Sequence, residues 1–194
     1  MKKIAVFLIA LASFKSATYA QSGDGVQPGT LAVQFFLNDF KSAQTVRSNN
    51  LGTVLKNREF GKIKEMSPGI AISYIKGISK RYDVSGTLAG SFVDYPMKNK
   101  AAFGQDYLLL EADASLRAKL ISNKAFINPY LQAGFGISKY QGYFGAFIPA
   151  GAGMQINLFD EAYLQINAQY RIPVSETTNY HFFFGIGLAG KIGK

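Results

Sequence analysis

The stretch Tyr163-Leu-Gln-Ile-Asn-Ala-Gln-Tyr-Arg-Ile172 sets an apolar row, Leu164, Ile166, Ala168, Tyr170 and Ile172, against a polar row, Gln165, Asn167, Gln169 and Arg171. A period of two places the rows on opposite faces of a β-sheet. A strand of roughly ten residues, tilted near 45°, also suffices to cross a bilayer core. The fold therefore turns on which row meets water.

Seven other segments repeat the pattern. Leu31, Val33, Phe35 and Leu37 oppose Ala32, Gln34, Phe36 and Asn38, and Ile70, Ile72 and Tyr74 oppose Gly69, Ala71 and Ser73. Tyr82, Val84, Leu88 and Phe92 oppose Asp83, Ser85, Thr87 and Ala89. The contrast is sharpest where Leu108, Leu110, Ala112, Ala114 and Leu116 face away from Glu111, Asp113, Ser115, Arg117 and Lys119. Leu131, Phe135 and Ile137 oppose Gln132, Gly134 and Ser138; Ile148, Ala152 and Met154 oppose Pro149, Gly153 and Gln155; Phe182, Phe184 and Ile186 oppose His181, Phe183 and Gly185.

A soluble barrel alternates too, but it turns the apolar row inward. The polar rows here are rich in Gly134, Gly136, Gly151, Gly153, Gly185 and Gly187, which suits a cramped interior, and carry too few charges for a surface in water. No uninterrupted apolar stretch is long enough for a membrane helix, and lipid otherwise admits only a closed barrel. The expectation is an all-β, eight-stranded antiparallel up-and-down transmembrane β-barrel, the smallest even-numbered size.

At the start, Lys2 and Lys3 precede an apolar run from Ile4 to Phe14, and Thr18-Tyr19-Ala20 supplies small residues around a cut. This is the pattern of a secretory signal peptide over 1–20, leaving a periplasmic segment over 21–28 and the barrel over 29–194. Without cysteine, neither lipid attachment at the cut nor a disulfide is available. The formal charge of +9 falls to +6 once Lys2, Lys3 and Lys15 are removed.

The connections alternate in character. Lys76 to Lys80, Ile121 to Ala125 and Phe159 to Glu161 are short, while Phe40 to Glu65, Asp94 to Asp106 and Ser175 to Tyr180 are longer, the expected asymmetry of inner turns and outer loops. The junction from Tyr140 to Phe144 breaks this rule. Tyr74 and Tyr82 fall toward one rim and Phe92, Tyr170 and Phe182 toward the other, as in two aromatic girdles.

The polar rows would put Asp83, Glu111, Asp113, Arg117, Lys119, Arg171 and Lys191 inside. Buried charges need partners, so Asp83 is expected near Arg117 or Lys119, and Glu111 with Asp113 across from Arg171. The outer segment from Lys41 to Glu65 carries Lys41, Arg47, Lys56, Arg58, Lys62 and Lys64 against Glu59 and Glu65, a net of +4. Such a loop could meet anionic lipopolysaccharide, although most charge runs are simply solvated.

His181 is the one histidine. It reads as a rim residue, with Ser175 or Ser138 as nucleophiles only if the fold brings them within hydrogen-bond reach. A lone His is weak evidence for catalysis, and metal binding lacks Cys and a second His, so no catalytic, cofactor or metal site is expected. No motif supports nucleic-acid binding.

Gly-Ser-Phe-Val-Asp-Tyr-Pro from Gly90 to Pro96, Tyr-Leu-Gln-Ala-Gly from Tyr130 to Gly134 and Asn-Tyr-His-Phe from Asn179 to Phe182, with the eight segments, resemble the N-terminal barrel of OmpA-type outer-membrane proteins. The resemblance implies a monomer in the Gram-negative outer membrane, in contact with its lipid and lipopolysaccharide, and inserted by the barrel-assembly machinery. The chain stops at Lys194, so the family's peptidoglycan-binding domain is not carried over, and its last residues depart from the usual aromatic end. The functional expectation is a non-enzymatic structural or surface-interaction barrel with a largely plugged, charge-paired lumen. The alternatives are a narrow pore for ions or small solutes and, more remotely, a lipid-modifying enzyme.

Overall fold

The computed structural model describes residues 26–97, 103–121, 125–159 and 162–192. The signal read over 1–20 lies outside the described residues, as do residues 21–25. Eight strands close on themselves: β1 (Thr30–Asp39), β2 (Ser67–Gly77), β3 (Tyr82–Val93), β4 (Tyr107–Lys119), β5 (Ile127–Tyr140), β6 (Tyr143–Phe159), β7 (Ala162–Pro173) and β8 (His181–Lys191). Each pairs antiparallel with its chain neighbours, and β8 returns to β1 with Phe35 opposite Ile186. Closure leaves no open sheet edge.

The opening strand settles the question of faces. In β7, Gln165, Asn167, Gln169 and Arg171 are buried, while Ile166 and Ala168 are exposed and Leu164, Tyr170 and Ile172 half-exposed. The same inversion runs round the barrel: Phe35, Leu88 and Phe135 are exposed, whereas Gln34, Asp83 and Glu111 are buried. An apolar exterior around a polar interior is the arrangement required of a barrel solvated by lipid.

Small inward residues leave room for a few large ones. A side chain at Gly136 would collide with the Phe147 ring, and one at Gly153 with the Tyr130 ring. Those two aromatic side chains occupy interior volume that the glycines vacate.

The segment read as an outer loop after β1 is partly helical. α1 (Phe40–Ser48) begins where the Asp39 carboxylate accepts the Ser42 N–H at 2.8 Å, and α2 (Leu51–Lys56) where the Asn50 side-chain Oδ1 accepts the Thr53 N–H at 2.8 Å. Each cap satisfies a backbone donor that the helix leaves orphaned. α1 packs on β8 at the end of the barrel away from the termini, here the loop end. The short junction after Tyr140 is a two-residue hairpin turn, Gln141–Gly142, in which Gln141 takes a left-handed φ of 55°. No helix among the described residues is long and apolar enough to cross a membrane.

Candidate functional site: charge clusters in the barrel interior

At the loop end, β7 brings Arg171 inward, where its guanidinium hydrogen-bonds Glu111 of β4 through Nη1 and reaches Asp113 Oδ2 from Nη2 at 3.4 Å. Arg171 is fully buried, with its guanidinium carbon 4.2 Å from the Phe183 ring centroid and 4.9 Å from that of Phe147. The rings supply cation–π contacts while the acids supply opposite charge. β4 and β7 are not neighbours in the sheet, so this is a tie across the lumen.

His181 joins the cluster. It stands opposite Arg171 in the β7–β8 register and is fully buried, with Nε2 3.2 Å from Glu111 Oε1 and Nδ1 3.1 Å from the Asn179 carbonyl oxygen. It thus lies at the loop-end start of β8, where the inward parity it shares with Phe183 buries it. Ser175 Oγ is engaged with the Ala146 N–H at 2.9 Å and with the Thr178 hydroxyl at 2.8 Å. Ser138 lies inward on β5.

Above this cluster, aromatic side chains cover the loop end. Phe40, the first residue of α1, lies 4.6 Å from the His181 ring and 5.1 Å edge-on from Tyr95. Tyr95 packs with Val93, Met97, Leu109 and Tyr140. Its hydroxyl oxygen accepts the Asn179 N–H at 2.7 Å, and its own N–H donates to Tyr140 Oη at 3.1 Å. Burial pushes the Tyr95 phenol well above its ordinary pKa, so it stays neutral. None of Phe40, Tyr95, Phe147 and Phe183 was singled out for the site in the sequence; the inward parity of Phe183, and of Phe147 two residues before Pro149, was the usable signal.

Toward the end that carries the termini, Lys119 Nζ lies 2.6 Å from Asp83 Oδ1, both side chains almost fully buried. Arg117, directly opposite Asp83 in register, instead lies 4.9 Å from the Tyr130 ring centroid. Lys191 stands apart: it is exposed at the barrel's end, 6.0 Å from the Tyr163 ring centroid.

Between the clusters runs a belt of amides and hydroxyls. Asn167 Nδ2 donates to Gln34 Oε1 at 2.8 Å, Gln34 Nε2 donates to Ser73 Oγ at 3.0 Å, and Ser73 Oγ meets Thr87 Oγ1 at 2.9 Å. Asn167 on β7 reaches Gln34 on β1 by passing over β8, where Gly185 leaves the space: a Cβ there would press on both amides. Gln165 Nε2 and Oε1, Gln169 Oε1 and Gln132 Nε2 are buried without a hydrogen-bond partner among the described residues.

The basic segment lies outside this interior. Lys41 pairs with Glu65 at 2.9 Å, both exposed to solvent to some degree, and the Arg47 guanidinium lies 3.8 Å from the Tyr180 ring centroid. The hydrogen bond from Lys41 holds the Glu65 carboxyl below its ordinary pKa. Lys56, Arg58, Lys62 and Lys64 are exposed or partly so.

No protein-family model matches the chain, and no curated protein matches it in sequence. Solved structures do match in fold. Neisserial surface protein A is 14% identical, with a TM-score of 0.58 over 87% of this chain and 100% of that one. The outer-membrane protein OprG of Pseudomonas aeruginosa is 10% identical, with a TM-score of 0.55 over 87% of this chain and 98% of that one. The N-terminal β-barrel domain of Pseudomonas aeruginosa OprF is 8% identical, with a TM-score of 0.52 over 85% and 98%. At these identities the likeness carries the fold, that of the small outer-membrane barrels.

Proposed function

We propose that the chain is an integral outer-membrane barrel that acts as a rigid, non-enzymatic platform, its lumen closed by the charge clusters and its loop end presented to the outside. The observation that carries this reading is the Arg171 tie to Glu111 and Asp113 beneath the Phe40–Tyr95 cover. Paired charges in a narrow barrel occupy the cross-section that a solute would need. His181 faces a carboxylate and a backbone carbonyl rather than a hydroxyl, which favours a structural over a hydrolytic role. The surface role would fall to the basic segment from Lys41 to Glu65, against outer-membrane lipid.

A narrow pore is the second reading. It is favoured by the unpartnered amides of Gln165, Gln169 and Gln132, because buried polar atoms of this kind normally hold water. Planar-bilayer recording of the refolded protein separates the two. A flat baseline supports the closed platform; stable stepwise openings at moderate voltage would replace it with the pore. Heat-dependent gel mobility tests the barrel itself, and a protein soluble without detergent would overturn the membrane reading.

A further inference from the structure

One flank of the exterior combines an apolar groove, a run of aromatic rings and a cation. Across β6, β7, β8 and β1 a groove of about 450 Å³ opens on the apolar face. Ala152 and Ala168 form its floor, Phe184 and Leu37 bound it on the β8–β1 side, and Met154 and Ile166 bound it toward the end that carries the termini. Small residues among large ones make a depression in this part of the wall.

Directly toward the loop end, the same flank becomes aromatic and then cationic. Phe184, which lines the groove, stacks on Phe182 at 5.8 Å; Phe182 lies 4.8 Å from Tyr170, and Tyr170 5.8 Å from Tyr180. Phe60, from the segment between β1 and β2, packs edge-on against Phe182 at 5.2 Å. That contact holds the basic segment against this wall. Arg47 of α1 then sits on the Tyr180 ring, and no carboxylate pairs with its guanidinium among the described residues. Tyr and Phe rings of this kind mark the depth of lipid headgroups, which places Arg47 at headgroup level. From Ile186 to Phe182 the strand covers ~13 Å at about 3.3 Å per residue, so groove and cation are within reach of one lipid.

Resting on the outer-membrane reading above, we infer that the β7–β8 flank is a site for one phosphate-bearing lipid of the outer leaflet, with an acyl chain in the groove over Ala168 and a phosphate on Arg47. The groove supplies apolar contact without charge, and the unpaired guanidinium supplies the fork geometry that suits a phosphate. Of the segment's other cations, Lys41 is paired with Glu65, while Lys56, Arg58, Lys62 and Lys64 add a diffuse positive field with the same preference.

The test is native mass spectrometry of the detergent-refolded protein titrated with bisphosphorylated lipid A or with its dephosphorylated form. One tightly retained equivalent of the phosphorylated lipid is expected, with the dephosphorylated form retained more weakly. Arg47→Ala should weaken retention about fivefold, the worth of one cation at an anionic surface. Ala168→Phe, which fills the groove, should abolish it. Lys139→Ala, which removes a cation 5.4 Å from the Phe144 ring on another wall, should change nothing. Equal retention of both lipids, equal loss in Lys139→Ala, or a lipid-free dimer lost on Ala168→Phe would overturn the site. Each variant is first checked for heat-dependent mobility, so loss of the lipid in a folded barrel is distinct from loss of the barrel.

Discussion

The two ends of the interior solve the same problem differently. Near the termini, Asp83 and Lys119 come from adjacent strands, β3 and β4, and Arg117 stands directly opposite Asp83 as a second cation. At the loop end, Glu111 on β4 depends on partners from β7 and β8. The first cluster can form within one hairpin, whereas the second exists only once distant strands have met. A local pair has a substitute at hand, and a cross-lumen tie has none of equal charge.

The sharpest way to break this contrast is Arg171→Leu. It strands two buried acids, so a loss of about 3–5 kcal/mol is expected, read as a lowered urea midpoint in refolded protein; Arg171→Leu with Glu111→Gln and Asp113→Asn should recover part of it. Lys119→Met should cost less, about 1–3 kcal/mol, because Arg117 can turn toward Asp83. An equal or larger loss at Lys119 would show that the terminal cluster is no more forgiving than the other.

A further set of substitutions tests the cover over the loop end. Tyr95→Ala removes both the acceptor for the Asn179 N–H and the ring against Phe40, and should lower stability by about 3–5 kcal/mol if the site cannot collapse; Tyr95→Phe, which deletes only the acceptor, should cost about 1 kcal/mol. Asp39→Ala should cost about 1 kcal/mol through the lost cap of α1, seen as faster proteolysis between β1 and β2 in intact barrels. Lys41→Ala should leave the unfolding midpoint unchanged, since exposed ion pairs contribute little. The small contribution of that pair is present above the carboxylate range and lost as pH falls through the depressed Glu65 value, so any difference between wild type and Lys41→Ala should vanish below it.

Much of this was legible in the period of two. Alternation assigned faces because strand geometry leaves a side chain only two directions, and eight such segments implied closure. Pairing inside the lumen was harder to read. That Lys119 rather than Arg117 takes Asp83 depends on diagonal reach and on the Tyr130 ring beside Arg117, neither of which has a signature in the chain. His181 was read at the rim because it begins a strand; its contact with Glu111 beneath the Phe40 ring had no signal in the chain. The helices after β1 were hidden by their charge run; Asp39 before Ser42 and Asn50 before Thr53 were the capping signals available. Lys191 follows the inward parity but lies where the barrel opens, and parity alone carries no information about depth.

The hydrogen bond from Asn167 to Gln34 joins residues 133 apart in sequence. It can form only when the first strand to leave the ribosome and the seventh are both seated beside the eighth. Gly185 is therefore more than a space-saver: it allows a clasp over the seam that distinguishes a finished cylinder from a sheet still curling.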